Sequence, residues 1–160
     1  MNNNKMSVKD LALQAMIAAV YVAITFGFYP LSFKSPQIRI SEFMLILVFF
    51  NRKHVIGLLL GCAIANFFGP MSVVDMVFGT MASAMVMLAM IKTPNRLLAF
   101  VWPSVINAVF IGLQLYFMYQ VPLVLGMSEV FIGEFAATFI PALFLLKPLM
   151  ANETMQRLFA

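Results

Sequence analysis

Residues 11–28 read LALQAMIAAVYVAITFGF, a run of 18 residues without a charged side chain. The run is longer than the ~7–15 apolar residues of a signal-peptide core. It approaches the ~20 residues that an α-helix needs to cross the ~30 Å hydrocarbon layer of a bilayer. We therefore interpret it as a retained transmembrane helix.

The composition of the 160-residue chain excludes several classes of protein. The chain is 63% hydrophobic and 10% charged, whereas a soluble domain is about 45–50% apolar and about a quarter charged. This excludes a soluble monomer, a disordered chain and a secreted disulfide-rich protein. One cysteine and one histidine are too few for an internal disulfide or a zinc cluster, so we expect no metal and no cofactor. The basic residues behind the net charge of +4 are scattered between the apolar runs, which fits membrane topology better than nucleic-acid binding.

Five more apolar runs follow, at residues 38–50, 55–68, 73–91, 97–119 and 127–146. We predict one all-α domain, residues 1–160, with six transmembrane helices, loops at 31–37 and 120–126 and a short amphipathic tail. The second and third runs are short, and a re-entrant hairpin is the alternative. That hairpin would bury Arg52 and Lys53 at a cost of at least ~5 kcal/mol, whereas hydrophobic mismatch costs only fractions of a kcal/mol per Å.

The basic residues predict the orientation of the bundle, because cytoplasmic loops carry an excess of Lys and Arg. With both termini in the cytoplasm, only Lys34 and Arg39 face outward. The basic residues that then face inward are Lys5, Lys9, Arg52, Lys53, Lys92, Arg96, Lys147 and Arg157.

Polar side chains within membrane helices are costly and indicate where a functional site lies. Counted along the predicted helices, most of them fall at one depth near the outer surface. They are Arg39, Glu42, Asn66, Asp75, Gln114, Tyr116, Glu129 and Glu134, with Asn107 near the middle of the fifth helix. We expect a polar pocket that opens outward beneath the 31–37 loop.

Local explanations stay open for some of these residues. They are an ion pair between Arg39 and Glu42, a helix-dipole partner in Asp75, a helix C-cap in Asn66 and a solvated carboxylate in Glu129. Glu134 is harder to explain locally, because at 1.5 Å per residue it lies ~10 Å below the start of its helix.

Small residues form a stripe on the first predicted helix. Ala15, Ala19 and Ala23 follow at intervals of four, a spacing that lets another helix backbone approach closely. The stripe either packs inside this bundle or docks another membrane protein. For the similar pairs Gly79/Ser83 and Gly133/Ala137 we predict packing inside the bundle.

Missing motifs narrow the function further. The chain has no Gly-rich phosphate loop followed by lysine, so we expect that it does not hydrolyse nucleotide itself. It has no internal repeat, which disfavours a secondary carrier built from paired halves. We therefore predict a non-enzymatic binding subunit that obtains its energy from partner proteins.

Short motifs in the first half of the chain resemble a known family. Residues 39–42 read RISE, residues 64–66 read IAN and residues 75–80 read DMVFGT, with Gly57 and Gly61 between the first two. Together they resemble the QueT family, the substrate-binding S components of energy-coupling-factor (ECF) transporters assigned to queuosine precursors. The second half is similar mainly in hydropathy and in Glu134. The chain departs from the expected pattern at residues 43–44, where Phe-Met replaces a small aliphatic pair.

The resemblance implies an S-component bundle in a bacterial plasma membrane, with a site on its extracellular side for a 7-deazaguanine such as preQ0, preQ1 or queuine. It also implies that Ala15, Ala19 and Ala23 dock on a transmembrane coupling subunit that two ATPase subunits serve. Carboxylates can accept from the adjacent ring N–H and amino group of a guanine-like edge, amides can complement its acceptors and aromatic rings can stack on it. The expected binding residues are Glu42, Asn66, Asp75, Gln114, Glu134, Arg39 and Asn107, with Tyr116 or Phe78 for stacking.

Three other interpretations remain open. The chain could be an S component for another vitamin-like small molecule. It could be a small proton-coupled carrier in which Glu134 or Asp75 changes protonation. It could also be a membrane scaffold whose polar groups pair with one another.

Overall fold

The computed structural model describes residues 6–34 and 37–159, and the regular structure within these ranges is helical. The predicted inward-facing Lys5 and part of the predicted 31–37 loop lie outside the described residues. In chain order the elements are α1 (Val8–Gly27), α2 (Tyr29–Phe33), a 3-10 helix (Ile40–Phe49), α3 (His54–Phe67), α4 (Val73–Lys92), α5 (Arg96–Ala99), α6 (Trp102–Tyr119), α7 (Leu123–Glu134), a π-helical segment (Phe135–Phe139), α8 (Ile140–Ala151) and α9 (Glu153–Phe159).

Within the described residues, four helical stretches are long and apolar enough to cross a membrane. They are Val8–Gly27, Val73–Lys92, Arg96–Tyr119 and Leu123–Ala151. The 20 residues of α1 extend over ~30 Å at 1.5 Å per residue, which matches the hydrocarbon thickness. The two remaining predicted spans correspond to Ile40–Phe49 and His54–Phe67, which are apolar but shorter.

The second predicted helix differs from the expectation in its winding. Ile40–Phe49 is a 3-10 helix rather than an α-helix. Its three residues per turn bring every third side chain to one face, and Glu42, Leu45 and Val48 are all buried. At ~2.0 Å per residue its ten residues extend over ~20 Å, close to the ~21 Å of the 14 residues of α3.

The last long helix differs from the prediction at both ends. It begins at Leu123, within the predicted 120–126 turn, because Pro122 stands at the position just before the helix. It continues past Pro148 to Ala151, although a proline removes one helical hydrogen bond. The π-helical segment Phe135–Phe139 interrupts its middle, immediately after Glu134. Such segments are frequent at functional sites.

Helices α1 and α3 pack closely because α3 presents glycines to α1. A Cβ on Gly57 would lie 2.7 Å from the carbonyl oxygen of Gln14, and one on Gly61 would lie 2.8 Å from Cβ of Tyr21. This spacing of four residues lets the two backbones approach, as small residues do in membrane helices. The approach holds Tyr21 in the centre of the bundle, where it is 1% exposed.

The two other pairs of small residues are buried inside the bundle, as predicted: Gly79, Ser83, Gly133 and Ala137. A Cβ on Gly79 would overlap the side-chain amide of Asn66. A Cβ on Gly133 would overlap the main chain of Gln37. These glycines therefore leave space for polar residues that belong to the site.

Candidate functional site

A partly open cavity of about 110 Å³ lies at one end of the bundle, between residues that are far apart in the sequence. Four of the predicted site residues line it, and each comes from a different segment of the chain. They are Arg39 before the 3-10 helix, Asn66 on α3, Asp75 on α4 and Gln114 on α6. Gln37, Phe33 and Tyr119 contribute further polar and aromatic surface. The predicted convergence of these four polar residues on one pocket is thus present.

Asp75 and Gln114 form the contact between α4 and α6 at this cavity. The Gln114 amide nitrogen donates a short hydrogen bond to Oδ1 of Asp75. The other carboxylate oxygen of Asp75 accepts from the main-chain N–H of Met71 at 2.8 Å. Asp75 therefore closes the turn that precedes its own helix while its other oxygen reaches α6.

Asn66 is held by its own helix and by α4. Its side-chain nitrogen donates to Sγ of Cys62 at 3.1 Å, and Cys62 Sγ lies 3.2 Å from Oγ of Ser83. The open space at Gly79 allows the amide to lie against α4. The main-chain oxygen of Asn66, not its side chain, accepts from Gly69 at the helix end. The side chain therefore does not cap the helix, which was the alternative local explanation for Asn66.

Glu42 is fully buried, and its carboxylate is held mainly by α1. Oε1 accepts from the hydroxyl of Tyr21 at 2.7 Å and lies 3.9 Å from the Arg39 guanidinium. The neighbouring hydroxyls of Ser41 and Thr25 form a second hydrogen bond between the 3-10 helix and α1, at 2.7 Å. The local pair of Arg39 with Glu42 is present, but the shorter contact of Glu42 is with a residue that sequence reasoning did not identify.

Glu134 is the second buried carboxylate in this region, with 3% of its surface exposed. It stands at the end of α7, which packs along α6, the helix that carries Asn107. Helix α7 packs closely against the segment before the 3-10 helix. This is possible because Gly133 has no side chain, and a Cβ there would overlap the main chain of Gln37. Glu42, Glu134, Arg39 and Asn107 are all buried polar side chains, and we call them the buried acidic cluster. Of the four, Arg39 lines the cavity, whereas Glu42, Glu134 and Asn107 are not among its lining residues.

Several polar atoms of these residues are buried without a hydrogen-bond partner within the described part of the chain. They are Nε of Arg39, Oε2 of Glu42, Oε1 of Gln114 and Oε2 of Glu134. An unsatisfied buried polar group costs about 1–3 kcal/mol, and more if it is charged. Two of these atoms, Nε of Arg39 and Oε1 of Gln114, belong to residues that line the cavity, and they offer one donor and one acceptor to a hydrogen-bonding ligand.

Two predicted aromatic residues do not join the cavity. Phe78 is 39% exposed and Tyr116 is 42% exposed, and neither lines it. Phe33 on α2 and Tyr119 at the end of α6 do. The sequence contains a signal for Tyr119 as a cavity residue. Tyr119 follows Leu115 by four residues and therefore lies on the same face of α6, next to Gln114, and all three line the cavity. Glu129 is half-buried on α7 and is not among the residues that line the cavity.

The predicted alanine stripe faces outward. Ala15, Ala19 and Ala23 are exposed and line a shallow apolar groove between α1 and α3, together with Leu60 and Ile64. The stripe is therefore not used to pack α1 inside this bundle.

Comparisons with known proteins identify the family of the chain. The family model described as QueT transporter matches residues 11–151. The chain is 29% identical over 149 residues to the queuosine precursor transporter QueT of Lactococcus lactis subsp. cremoris (strain MG1363), an alignment that covers 83% of this chain and 88% of that protein. No solved structure matches the chain. The match to the family model extends over most of the chain and over every segment of the site, so this multi-pass membrane protein belongs to the QueT transporter family.

Proposed function

We propose that this chain is the substrate-binding S component of an ECF importer and that it binds a queuosine precursor of the 7-deazaguanine class. The observation that carries the proposal is the convergence of Arg39, Asn66, Asp75 and Gln114 on one cavity. Behind the cavity, the guanidinium of Arg39 lies 3.9 Å from the buried carboxylate of Glu42. The relative from Lactococcus lactis is a queuosine precursor transporter by name, and we extend that substrate class to this chain.

The chemistry of the site suits a guanine-like edge. Such an edge presents a ring N–H beside an amino group, and a carboxylate can accept from both. Glu42 and Glu134 each have one carboxylate oxygen free, so the two residues together offer one acceptor to each of these donors. The carbonyl oxygen of the guanine-like ring is an acceptor. The unpartnered Nε of Arg39 is a suitable donor for it. Phe33 and Tyr119 offer aromatic faces for the ring system.

The arrangement in the membrane is part of the proposal. Six crossings with both termini in the cytoplasm put the cavity on the extracellular side and Lys53, Lys92, Arg96 and Arg157 on the inner side. The two short helices, at ~20 Å each, then cross a bilayer that thins locally, which costs fractions of a kcal/mol per Å. The transmembrane coupling subunit docks on the groove of Ala15, Ala19 and Ala23, and two ATPase subunits bound to it drive the movement of the substrate.

Titration of the purified chain without partner proteins tests the binding role. The chain in detergent is expected to bind preQ1 or queuine and to bind 7-deazaadenine at least about tenfold more weakly, since one bidentate pair is worth ~1–3 kcal/mol. Equal affinity for both compounds would contradict recognition by the carboxylates. Uptake into vesicles should then require the coupling subunit, the ATPases and ATP.

A proton-coupled carrier is a second candidate, which the buried free oxygen of Glu134 favours. It predicts accumulation of the ligand in vesicles under a pH gradient with no ATPase present. A scaffold is less well supported, because mutual pairing would satisfy the four polar atoms that here lack partners.

A further inference from the structure

A second polar cavity lies at the opposite, proposed cytoplasmic end of the bundle. Its volume is about 270 Å³, and it lies between the turn after the 3-10 helix and the turn between α4 and α5. Arg52 comes from the first turn, and Thr93 and Arg96 come from the second. This cavity shares no lining residue with the candidate substrate site.

The two arginines of this cavity have no acidic partner within the described residues. The chain has six acidic residues, and all six are described. Two of them belong to this end of the bundle, and each is already paired with another cation: Asp10 with Lys53 at 3.0 Å and Glu153 with Arg157 at 3.3 Å. Arg52 and Arg96 are exposed and have no ion-pair partner within the described residues, so both guanidinium groups are available to an anionic ligand.

The surroundings of Arg96 are fixed before any ligand arrives. Its guanidinium lies over the ring of Phe49, 5.9 Å from the centroid. The turn before it is tied down, because Oδ1 of Asn95 accepts from the N–H groups of Leu97 and Leu98. The indole N–H of Trp102 donates to the Thr93 hydroxyl at 2.8 Å, next to the cavity. A preorganised arginine loses less entropy when it binds than a mobile one.

We propose that this cavity binds the phosphate group of an anionic membrane lipid such as phosphatidylglycerol. The planar guanidinium forms paired hydrogen bonds with phosphate oxygens, and basic pockets between membrane helices on the cytoplasmic side bind acidic headgroups. A lipid fits better than a free anion because the cavity is also lined by Val48, Phe49 and Ile91, and because Trp102 marks the depth of the membrane interface.

Fluorescence of Trp102 provides the test, since it is the one tryptophan of the chain and contacts Thr93 of the cavity. Short-chain phosphatidylglycerol is titrated into the full chain in nonionic detergent and should change the emission saturably, whereas phosphatidylcholine should not. Arg52→Gln and Arg96→Gln should each weaken the apparent affinity by about tenfold or more, as expected for loss of a charge-assisted hydrogen bond. Lys147→Gln is the matched control, because Lys147 is an exposed cation that does not line the cavity.

Each other outcome overturns the proposal. Unchanged affinity in both arginine variants, or an equal loss in Lys147→Gln, would show that the cavity is not the binding site. An equal response to inorganic phosphate at the same concentration would show that the site takes a free anion rather than a lipid. Circular dichroism checks that the variants keep their helical content, and 7-deazaguanine binding, measured in parallel, should not change.

Discussion

Replacement of Glu42 by glutamine tests whether the buried acidic cluster binds the ligand. Glu42 is fully buried, with Oε1 bonded to Tyr21 and Oε2 free. Glutamine keeps the shape and can still accept from Tyr21, but it loses the negative charge and places an N–H donor where a ligand donor would need an acceptor. A charge-assisted hydrogen bond is worth ~1.5–3 kcal/mol, so affinity for preQ1 or queuine should fall roughly 10- to 150-fold.

Isothermal titration in detergent measures the loss, and thermal unfolding without ligand checks the fold. Glu129→Gln is the matched control, since it makes the same change on a half-buried residue of α7 away from the cavity. In Glu42→Gln, Arg39 loses its buried carboxylate partner, and this loss can destabilise the variant protein. Glu134→Gln then provides the second test. Wild-type affinity in both cluster variants, or an equal loss in Glu129→Gln, would refute the assignment of these carboxylates to the ligand.

Three other predictions address the glycines and the alanine stripe. Gly79→Ala should displace the Asn66 amide and weaken ligand binding, whereas Gly27→Ala, which has open space around it, should not; titration of both variants decides. Gly57→Ala should separate α1 from α3 and lower thermal stability by about 1–3 kcal/mol, as overpacking does, and an unchanged melting temperature would contradict the close approach. The double change of Ala15 and Ala19 to leucine should prevent copurification with the coupling subunit while ligand binding persists. Val20→Leu, at an exposed position of α1 that does not line the groove, is the control. A complex of normal stoichiometry from the double variant would remove the docking role.

Much of the site could be predicted because depth in a membrane is a simple function of sequence position. Arg39, Asn66, Asp75 and Gln114 lie at similar distances from the ends of their apolar runs, and the structure brings them to one cavity. The rotation of each helix was harder to predict. Tyr116 follows Gln114 by two residues, a turn of ~200° about the helix axis, so when Gln114 faces inward Tyr116 faces out.

Two other features depended on contacts that no local pattern reveals. Residues 40–49 contain no Gly or Pro to indicate 3-10 winding, and Ser41 and Glu42 are positioned by hydroxyls of α1 some twenty residues earlier. Tyr21 was part of an apolar run, and only the approach of α3 at Gly61 places it beside Glu42. The signal available in the sequence was the pair Gly57 and Gly61, which indicates where another helix comes close.

The most direct test of the central claim is mass spectrometry of the small molecules that copurify with the chain when it is expressed without its partners. The account predicts a 7-deazaguanine in amounts close to equimolar with the protein, and its loss when Glu42 and Glu134 are both replaced by glutamine. Recovery of the same compound at the same level from that double variant, or of a compound with no guanine-like edge from the wild-type chain, would contradict the account.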